Sequence, residues 1–328
     1  MARYPQATPF HHPDWTRLVA GCYGYRAFVL VTRDAAGAIK AGLPLVEVRH
    51  LGRSPKWVSL PYTDYCPPLA SARQDQEELT AALQRASSAA GIRRVEIRGP
   101  LAGCSAGGAV ALRHVLPLHR NPAEVHAGFH HSQVQRNIRR AERDGLTVRQ
   151  ATRPEDLVDT FYRLHLQTRR RHGVPVQPRR FFRMLWENAI STGLGSVLIV
   201  EASAQPVAAG VFLAWNETVV YKFGASDVSS WSLRPNHLLL WHAIRVACEQ
   251  GYRWFDFGRT DVGQAGLRDF KRSWGAVEEP LAYRILGGKP EPAAAAEGTA
   301  ARMLRPVIRY SPPLLCRTVG EALYRYTA

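Results

Sequence analysis

The sequence contains few cysteines, few lysines and no long apolar run. Its five cysteines are scattered and never spaced as C-x-x-C. This excludes a disulfide framework and a cysteine-based zinc site, and it favours a reducing cytoplasm. The longest apolar runs, such as Val197 to Val200, fall far short of the roughly 18 residues that a membrane span needs. The N-terminus, Met1 to Pro13, lacks the apolar core of a signal peptide.

Arginine supplies most of the positive charge, and lysine is scarce. Only five of the 43 basic residues are lysine, and the formal net charge is +16. Such a charge favours a polyanionic partner, which can be nucleic acid, a phosphorylated metabolite or an acidic membrane. The richness in Arg, Ala, Gly and Pro is also typical of a GC-rich genome, so compositional bias remains an equal explanation.

The order of predicted elements repeats between the two halves of the chain. A length of 328 residues indicates about two domains. Each half reads as helix, hairpin, strand, loop, helix, strand and final strand, from apolar periodicity and turn residues. The final strands are predicted at 110–118 and 277–286. Two copies of one α/β unit explain this order most economically.

The most specific motif lies near the end of the second half. Phe255–Arg259 reads F-D-F-G-R after a strand, and Gly266–Gly275 reads G-L-R-D-F-K-R-S-W-G after a short loop. Both segments resemble the Fem-type peptidoglycan bridge aminoacyltransferases of the GNAT acyltransferase superfamily. The second domain of that family ends with an F-D-F-G strand and an F-K-x-x-W/F-G segment. Ser132–Gly145 and Leu60–Asp64 resemble further segments of the same family.

The resemblance implies an α/β (α+β) fold of tandem GNAT-like domains. Each domain is expected to hold a mixed, mostly antiparallel twisted sheet flanked by helices. We expect an N-terminal domain at residues 1–125 and a C-terminal domain with the catalytic motif at 126–287. Residues 288–299 have the composition of a flexible linker. Residues 300–328 form a basic amphipathic tail, which either packs on the first domain or lies on an acidic lipid surface.

Lys271 is the first candidate catalytic residue. Acyl transfer to an amine needs a positive group or N–H donors at the oxyanion of the tetrahedral intermediate. The resemblance implies that Lys271 lies beside the reacting ester and that Phe270 lines the channel for the nucleotide end of the donor. Trp274 joins the substrate-binding candidates. On spacing alone, Phe270 and Trp274 would be core residues and Lys271 would point to solvent.

Two carboxylates are further catalytic candidates. Asp256 lies on a strand between two aromatic residues, so its side chain faces the opposite way from theirs. It either orients a substrate amine or forms a structural ion pair with Arg259, which is itself a substrate-binding candidate. Asp64 follows a strand in a Tyr-Thr-Asp-Tyr loop, where a turn or capping role is the alternative.

The donor site is predicted from the strand end Tyr221–Ala225. In GNAT folds this strand end opens to admit the acyl donor, so Tyr221 is assigned to the donor channel. Acetyl-CoA enzymes continue with a glycine-rich loop whose backbone N–H groups hold the pyrophosphate. The corresponding segment, Ser229–Asn236, contains no glycine. This departure disfavours CoA and favours aminoacyl-tRNA, with Asn236 among the substrate-binding candidates.

One predicted helix carries a line of arginines. Arg136, Arg140 and Arg143 recur at helical spacing, and Arg139 lies between them. An apolar stripe runs beside them at Val134, Ile138 and Ala141. The arginines are candidate contacts for RNA phosphates, and a sugar or lipid diphosphate would suit the same groups. A solvated face is the alternative.

No metal site is predicted. His126 and His130 have helical spacing, but no H-E-x-x-H pattern and no third ligand accompany them. The glycine-rich loop at Gly99–Gly108 is predicted as a flexible connection, because no helix clearly begins there.

Three functions remain to be compared. The first is a cytoplasmic Fem-type N-acyltransferase without a cofactor, which moves an aminoacyl group from aminoacyl-tRNA to an amine of a cell-wall precursor or related metabolite. The second uses an acyl-CoA donor on the same fold. The third is a non-enzymatic protein that binds RNA or acidic lipid. The basic tail would suit a peripheral position at the inner face of the membrane.

Overall fold

The computed structural model describes residues 4–49, 54–104, 111–287 and 299–324, and these fall into two units. The described residues up to Leu112, together with those from Pro280 to 287, form the first unit. Arg113–Glu279 and the described residues from 299 onward form the second unit. Each unit is built on one mixed sheet with helices packed against it. The predicted fold class, tandem α/β units, is therefore confirmed.

Ten α-helices and thirteen strands lie within the described part of the chain. The helices are α1 (Pro13–Tyr23), α2 (Arg73–Ala89), α3 (Pro122–Ala127), α4 (Arg136–Arg143), α5 (Tyr162–Arg171), α6 (Arg179–Leu185), α7 (Pro235–Glu249), α8 (Ala265–Ser273), α9 (Thr299–Tyr310) and α10 (Pro313–Leu323). The strands are β1 (Arg26–Arg33), β2 (Ile39–Val48), β3 (Lys56–Val58), β4 (Leu69–Ala70), β5 (Val95–Ile97), β6 (Ala111–Pro117), β7 (Thr147–Gln150), β8 (Gly195–Ala202), β9 (Gln205–Trp215), β10 (Thr218–Ser226), β11 (Trp254–Thr260), β12 (Val277–Leu281) and β13 (Arg284–Leu286).

Five shorter helical segments complete the described structure. They are the 3-10 segments Pro9–His11 and Val228–Leu233 and the π-helical turns His131–Gln135, Asp156–Phe161 and Trp186–Ile190. Each π-helical turn is continuous with an α-helix: the three adjoin α4, α5 and α6 in turn.

The first unit has a six-stranded sheet in the order β1-β2-β3-β5-β13, with β4 paired to β2. β1 and β2 form the predicted hairpin, and β3 and β5 run parallel. Apolar residues of β2 alternate toward α2, so that Leu43 and Leu45 pack with Leu79 and Leu83 of that helix. The core of the first unit thus follows directly from the period of each element.

The second unit has a seven-stranded sheet in the order β12-β6-β11-β10-β9-β8-β7. β7, β8, β9 and β10 are joined antiparallel in sequence, whereas β10 and β11 pair in parallel. A crossover through α7 connects these two parallel strands, as parallel pairing requires. Leu239 and Ile244 of α7 are fully buried in the core that covers this sheet.

The end of the chain differs from the sequence-based expectation in two ways. The predicted strand 277–286 is two strands, β12 in the second sheet and β13 in the first. The division between the units lies at 112/113 instead of 125/126, because β6 joins the second sheet. Three short elements, α3, β4 and β7, were not predicted. Their lengths of six, two and four residues give too few turns or alternations for a periodic signal.

The tail does not pack on the first unit, which was one of the two alternatives. α9 and α10 contact α5 of the second unit, and Ile308 and Cys316 are buried there. Glycine permits this close approach, because a Cβ on Gly173 would lie 2.8 Å from the Arg305 carbonyl oxygen. None of the helices among the described residues is long and apolar enough to cross a membrane. Most of the predicted linker and residues 105–110 lie outside the described residues.

Candidate active site

The two parallel strands of the second sheet separate partway along their length. β10 and β11 pair only where Thr218–Val220 faces Trp254–Asp256. Directly beyond this pairing, the register of β10 with β9 shifts between Tyr221 and Phe223. An extra residue at such a bulge bends the strand and re-aims its side chains. The predicted opening at Tyr221–Ala225 thus coincides with a bulge and with the end of the parallel pairing.

Tyr221 is held at this opening by its neighbours. Its ring stacks on Phe212 of β9, with ring centroids 5.2 Å apart. Its hydroxyl lies against the Cα of Gly224, where a Cβ would overlap it. Burial raises the pKa of Tyr221 well above its usual value, so the hydroxyl stays protonated at neutral pH. The bulge, the glycine and the ring therefore form one packed arrangement.

Lys271 is buried beside the separated part of β11. Its side chain comes from the last turn of α8, and the residue is only 5% exposed, so the solvent-facing alternative is wrong. Lys271 Nζ donates to the carbonyl oxygens of Gly258 at 2.8 Å and Arg259 at 3.2 Å. Gly258 has φ +73°, a left-handed conformation that suits glycine. The F-D-F-G motif thus supplies the backbone that anchors the ammonium group.

One alternative predicted an ion pair between Asp256 and Arg259, and the structure does not contain it. Asp256 Oδ2 accepts a hydrogen bond from Arg113 Nε at 2.6 Å, and its Oδ1 accepts from the Gly258 amide at 2.8 Å. The guanidinium of Arg259 instead contacts Asp261 at 2.9 Å. Arg113 is far away in sequence, on β6, and only strand pairing brings it to β11. Asp256 is therefore a buried carboxylate with a structural cation partner.

Two residues that the sequence analysis missed, His114 and Glu278, contact each other, and His114 is near enough to Lys271 to be affected by its charge. His114 of β6 is fully buried, and its Nε2 lies 3.0 Å from Glu278 Oε1. Burial first, and then the charge of Lys271, lower the pKa of His114, so its ring is neutral at neutral pH. Arg268 of α8 holds both oxygens of Glu278, at 2.9 and 3.1 Å. Neither residue follows a local motif, and β6 and β12 meet only in the folded sheet.

Aromatic side chains cover the other face of α8. Trp274 is fully buried, and its ring lies 5.0 Å from Phe129 and 6.2 Å from Phe270. His237 of α7 stacks near Trp274, and burial lowers the pKa of His237 to about 4. Phe270 is partly buried against this core. Trp274 Nε1 has no hydrogen-bond partner among the described residues.

The segment after β10 has its backbone groups occupied. Val228–Leu233 forms a 3-10 helix, and Asp227 accepts hydrogen bonds from the amides of Ser229 and Ser230. α7 then begins at Pro235, which has no N–H group. Asn236 donates to Ser226 Oγ at 3.3 Å and so connects the end of β10 to α7. No glycine-lined cradle of amides forms between Ser229 and Asn236.

The remaining candidates lie away from these residues in sequence. Arg136, Arg139, Arg140 and Arg143 are all exposed, while the apolar stripe beside them is buried. Asp64 belongs to the first unit, where its carbonyl oxygen accepts a hydrogen bond from Tyr283. Lys271 of α8 contacts the β11 backbone at Gly258 and Arg259, next to Asp256. Tyr221 and Asn236 lie instead at the opening of β10. Nowhere in the described residues do three potential metal ligands among His, Cys, Asp and Glu cluster.

Comparisons with known proteins agree with this geometry. The profile described as the acetyltransferase (GNAT) domain matches residues 129–272. A search of curated proteins found no match. Among solved structures, "Crystal structure of FemX" superimposes with a TM-score of 0.66 at 15% identity, over 85% of this chain and 94% of that one.

Two further solved structures share the same fold. The C-terminal domain of a putative lysylphosphatidylglycerol synthetase from Agrobacterium fabrum has a TM-score of 0.59 at 15% identity, over 94% of each chain. L-PGS from Bacillus licheniformis has a TM-score of 0.55 at 11% identity, over 89% of this chain and 91% of that one. Residues 129–272 therefore form an acyltransferase domain of the GNAT type, and the chain as a whole shares its fold with FemX.

Proposed function

We propose that the protein transfers an aminoacyl group from aminoacyl-tRNA to an amine of a cell-wall precursor or related metabolite. The observation that carries this proposal is the buried Lys271 ammonium, which is anchored to β11 where β10 no longer pairs with it. A positive charge at this place suits the oxyanion of an acyl-transfer intermediate. Aminoacyl-tRNA is made in the cytoplasm, so such a donor requires a cytoplasmic enzyme.

The proposed step forms one bond and breaks another. The acceptor nitrogen attacks the ester carbonyl, and the negative charge that develops on the carbonyl oxygen is stabilised by Lys271. The C–O bond to the tRNA ribose then breaks, and the leaving oxygen takes the proton from the amine. No strong protein base is required. Asp256, which is bonded to Arg113 and the Gly258 amide, would hold the β11 backbone that positions Lys271.

The choice of donor rests on the segment Ser229–Asn236. A CoA pyrophosphate needs backbone amides that point outward at a helix N-terminus. Here Asp227 accepts from the first amides, and Pro235 begins α7 without an N–H group. The exposed arginines of α4 offer phosphate contacts of the kind that an RNA backbone requires. Tyr221 and Phe270 would line the path of the aminoacyl end.

A transfer assay with the purified chain tests the proposal. Labelled aminoacyl-tRNAs and acyl-CoA would each be offered with a panel of amines, and amide product would be measured. We expect product from aminoacyl-tRNA, and Lys271→Met should lower kcat by about 10² to 10³-fold, the usual loss of an oxyanion donor. Arg272→Met, an exposed cation on the same helix, is the matched control and should retain activity.

Two results would reject the proposal in part or whole. Transfer from acyl-CoA at a rate equal to or higher than that from aminoacyl-tRNA would show that the donor is acyl-CoA. A folded Lys271→Met protein with full activity would remove the oxyanion role. Because Lys271 is buried, the thermal unfolding of the Lys271→Met protein would be recorded as well. This distinguishes a loss of folding from a loss of catalysis.

A further inference from the structure

α10, the last helix of the chain that the structure describes, borders an open cavity that lies far from the α8 motif in sequence. α10 packs along α5, and a cavity of about 400 Å³ remains between these helices and the start of α6. Its wall contains three arginines, Arg163, Arg179 and Arg317, together with Tyr162. The acyl-transfer step uses none of these residues. A role for the cavity therefore has to come from its own chemistry.

The charges around the cavity are predominantly positive. Asp159 contacts Arg179 at 3.1 Å, and Glu321 contacts Arg317 at 3.0 Å. Arg163 adds a third, exposed guanidinium to the same wall. Guanidinium groups arranged around one space suit a phosphate, because each offers a planar pair of donors.

Two buried donors at the wall have no hydrogen-bond partner among the residues that the structure describes. They are Tyr162 Oη and Arg179 Nε, and the Arg179 guanidinium lies 5.1 Å from the centre of the Tyr162 ring. Burial raises the pKa of Tyr162 to about 12, so its hydroxyl remains a donor at neutral pH. Donors that are removed from water without a partner are costly, and an anionic ligand would satisfy them.

The surface next to the cavity is apolar and exposed. Leu314, which also lines the cavity, is 73% exposed, and Tyr310 is 78% exposed. Val307 and Leu315 add further exposed apolar area, and Arg305 and Arg309 are exposed on α9. Apolar and aromatic residues among arginines on short helices are typical of surfaces that lie in a lipid interface.

We propose that α9, α10 and the arginine cavity form a docking site for a bilayer of anionic phospholipid. A lipid phosphate would contact Arg163, Arg179 and Arg317. Leu314 and its apolar neighbours would enter the interface above the phosphate. The cavity supplies the charge complementarity and the adjoining helices supply the apolar contact, so a single lipid molecule satisfies both. The proposal goes beyond the transferase function and does not depend on the identity of the acceptor.

Vesicle sedimentation with the full chain tests this site. Vesicles of phosphatidylcholine alone would be compared with vesicles in which about 30% of the lipid is anionic phosphatidylglycerol. We expect binding to the anionic vesicles only. Arg163→Gln and Arg317→Gln should each weaken binding about fivefold, from roughly 1 kcal/mol per basic residue near an anionic surface. Leu314→Ser should weaken it as well.

Matched controls come from the first unit. Arg85 is exposed on α2, and Val29 is exposed on β1, so Arg85→Gln and Val29→Ser change charge and apolar area elsewhere. Both should bind like the unmodified protein. All variants should keep their melting temperature, because the changed side chains are largely outside the core.

Three outcomes would overturn the docking site. Equal binding to neutral vesicles would exclude recognition of the anionic headgroup. An equal loss of vesicle binding in the control variants would show that binding depends on the overall surface and not on this cavity. Capture of tRNA that Arg163→Gln and Arg317→Gln abolish, without any vesicle binding, would assign the cavity to RNA. Aminoacyl transfer to a soluble amine should be unchanged in all five variants, which separates this site from the transferase proposal.

Discussion

Lys271 and Asp256 show how one short motif supports two different roles. Both residues meet at Gly258, whose carbonyl accepts from the lysine and whose amide donates to the aspartate. The lysine ammonium is thereby fixed by backbone, and the aspartate is neutralised by Arg113 of another strand. The spacing of the motif could predict that these residues lie close together. It could not predict Arg113, because the partner lies 143 residues away.

The ion pair between Arg113 and Asp256 should be essential for stability. Both side chains are largely buried, so Arg113→Met leaves a carboxylate without its cation and should lower the free energy of unfolding by about 3–5 kcal/mol. Chemical denaturation would measure this. Arg253→Met breaks an ion pair to Glu217 that is largely exposed, and it should cost less than about 1 kcal/mol. Similar losses in the two variants would contradict the buried role of Arg113.

Glu278 should make stability depend on acidity. Its pKa is lowered to about 2, first by Arg268 and also by His114. A carboxylate whose pKa is lowered by folding stabilises the fold at a pH above its pKa in the unfolded protein. This contribution is lost as the pH falls toward its pKa in the folded protein. Glu278→Gln should therefore be less stable than the unmodified protein at pH 6, and the difference should shrink between pH 4.5 and 2. Thermal unfolding at several pH values would measure it.

A control variant separates this effect from general acid unfolding. Glu155 is exposed at the start of its helix, so Glu155→Gln removes one carboxylate without removing the contacts of Glu278. A stability difference between Glu278→Gln and the unmodified protein that stays constant down to pH 2 would contradict the prediction.

At the scale of elements, the opening of the second sheet depends on three neighbouring features. The parallel pairing of β10 and β11 stops after three residues, β10 has a bulge, and Gly224 makes room for the Tyr221 hydroxyl. The sequence predicted the strand and the opening from the family resemblance. The packing of Tyr221 on Gly224 depends on the bulge, which no local pattern reveals.

Gly224→Ala should disturb this opening. The added methyl group would overlap the Tyr221 hydroxyl, so the ring or the bulge must move, at a cost of about 1–3 kcal/mol. We expect a loss of transfer activity larger than the loss of stability explains, measured by kcat/KM at a temperature where the variant is folded. Gly266→Ala adds the same methyl group in open space on α8 and should leave activity intact. An active, stable Gly224→Ala protein would contradict the role of this contact.

At the scale of the whole molecule, the described part of the chain passes between the two units three times, from the first to the second, back to the first at Pro280, and again to the second with α9 and α10. β6 follows the first unit in sequence but joins the second sheet, and β13 follows the second unit but completes the first sheet. The first unit is therefore incomplete without the residues that begin at Pro280. Because β6 belongs to the second sheet, the sequence-based boundary at 125/126 differs from the one in the structure.

Ile285→Pro tests the contribution of β13. Ile285 lies opposite Glu96 in the centre of the short β5–β13 ladder, and proline removes an N–H group and disfavours strand pairing. Hydrogen exchange should show loss of protection in β5, while β8 and β9 of the second sheet remain protected. Unchanged exchange in β5 would mean that β13 contributes little to the first sheet.

The sequence by itself determined the α/β class, most helices and strands, the repeated order of elements and the burial of Lys271 through its family motif. These features follow from local periodicity, turn residues and a short contiguous motif. The tertiary structure decided that Arg113 neutralises Asp256, that His114 contacts Glu278, and that the tail packs on α5. Each of these depends on which strands and helices become neighbours. That choice is made by the burial of whole faces across distant segments, which no local pattern encodes.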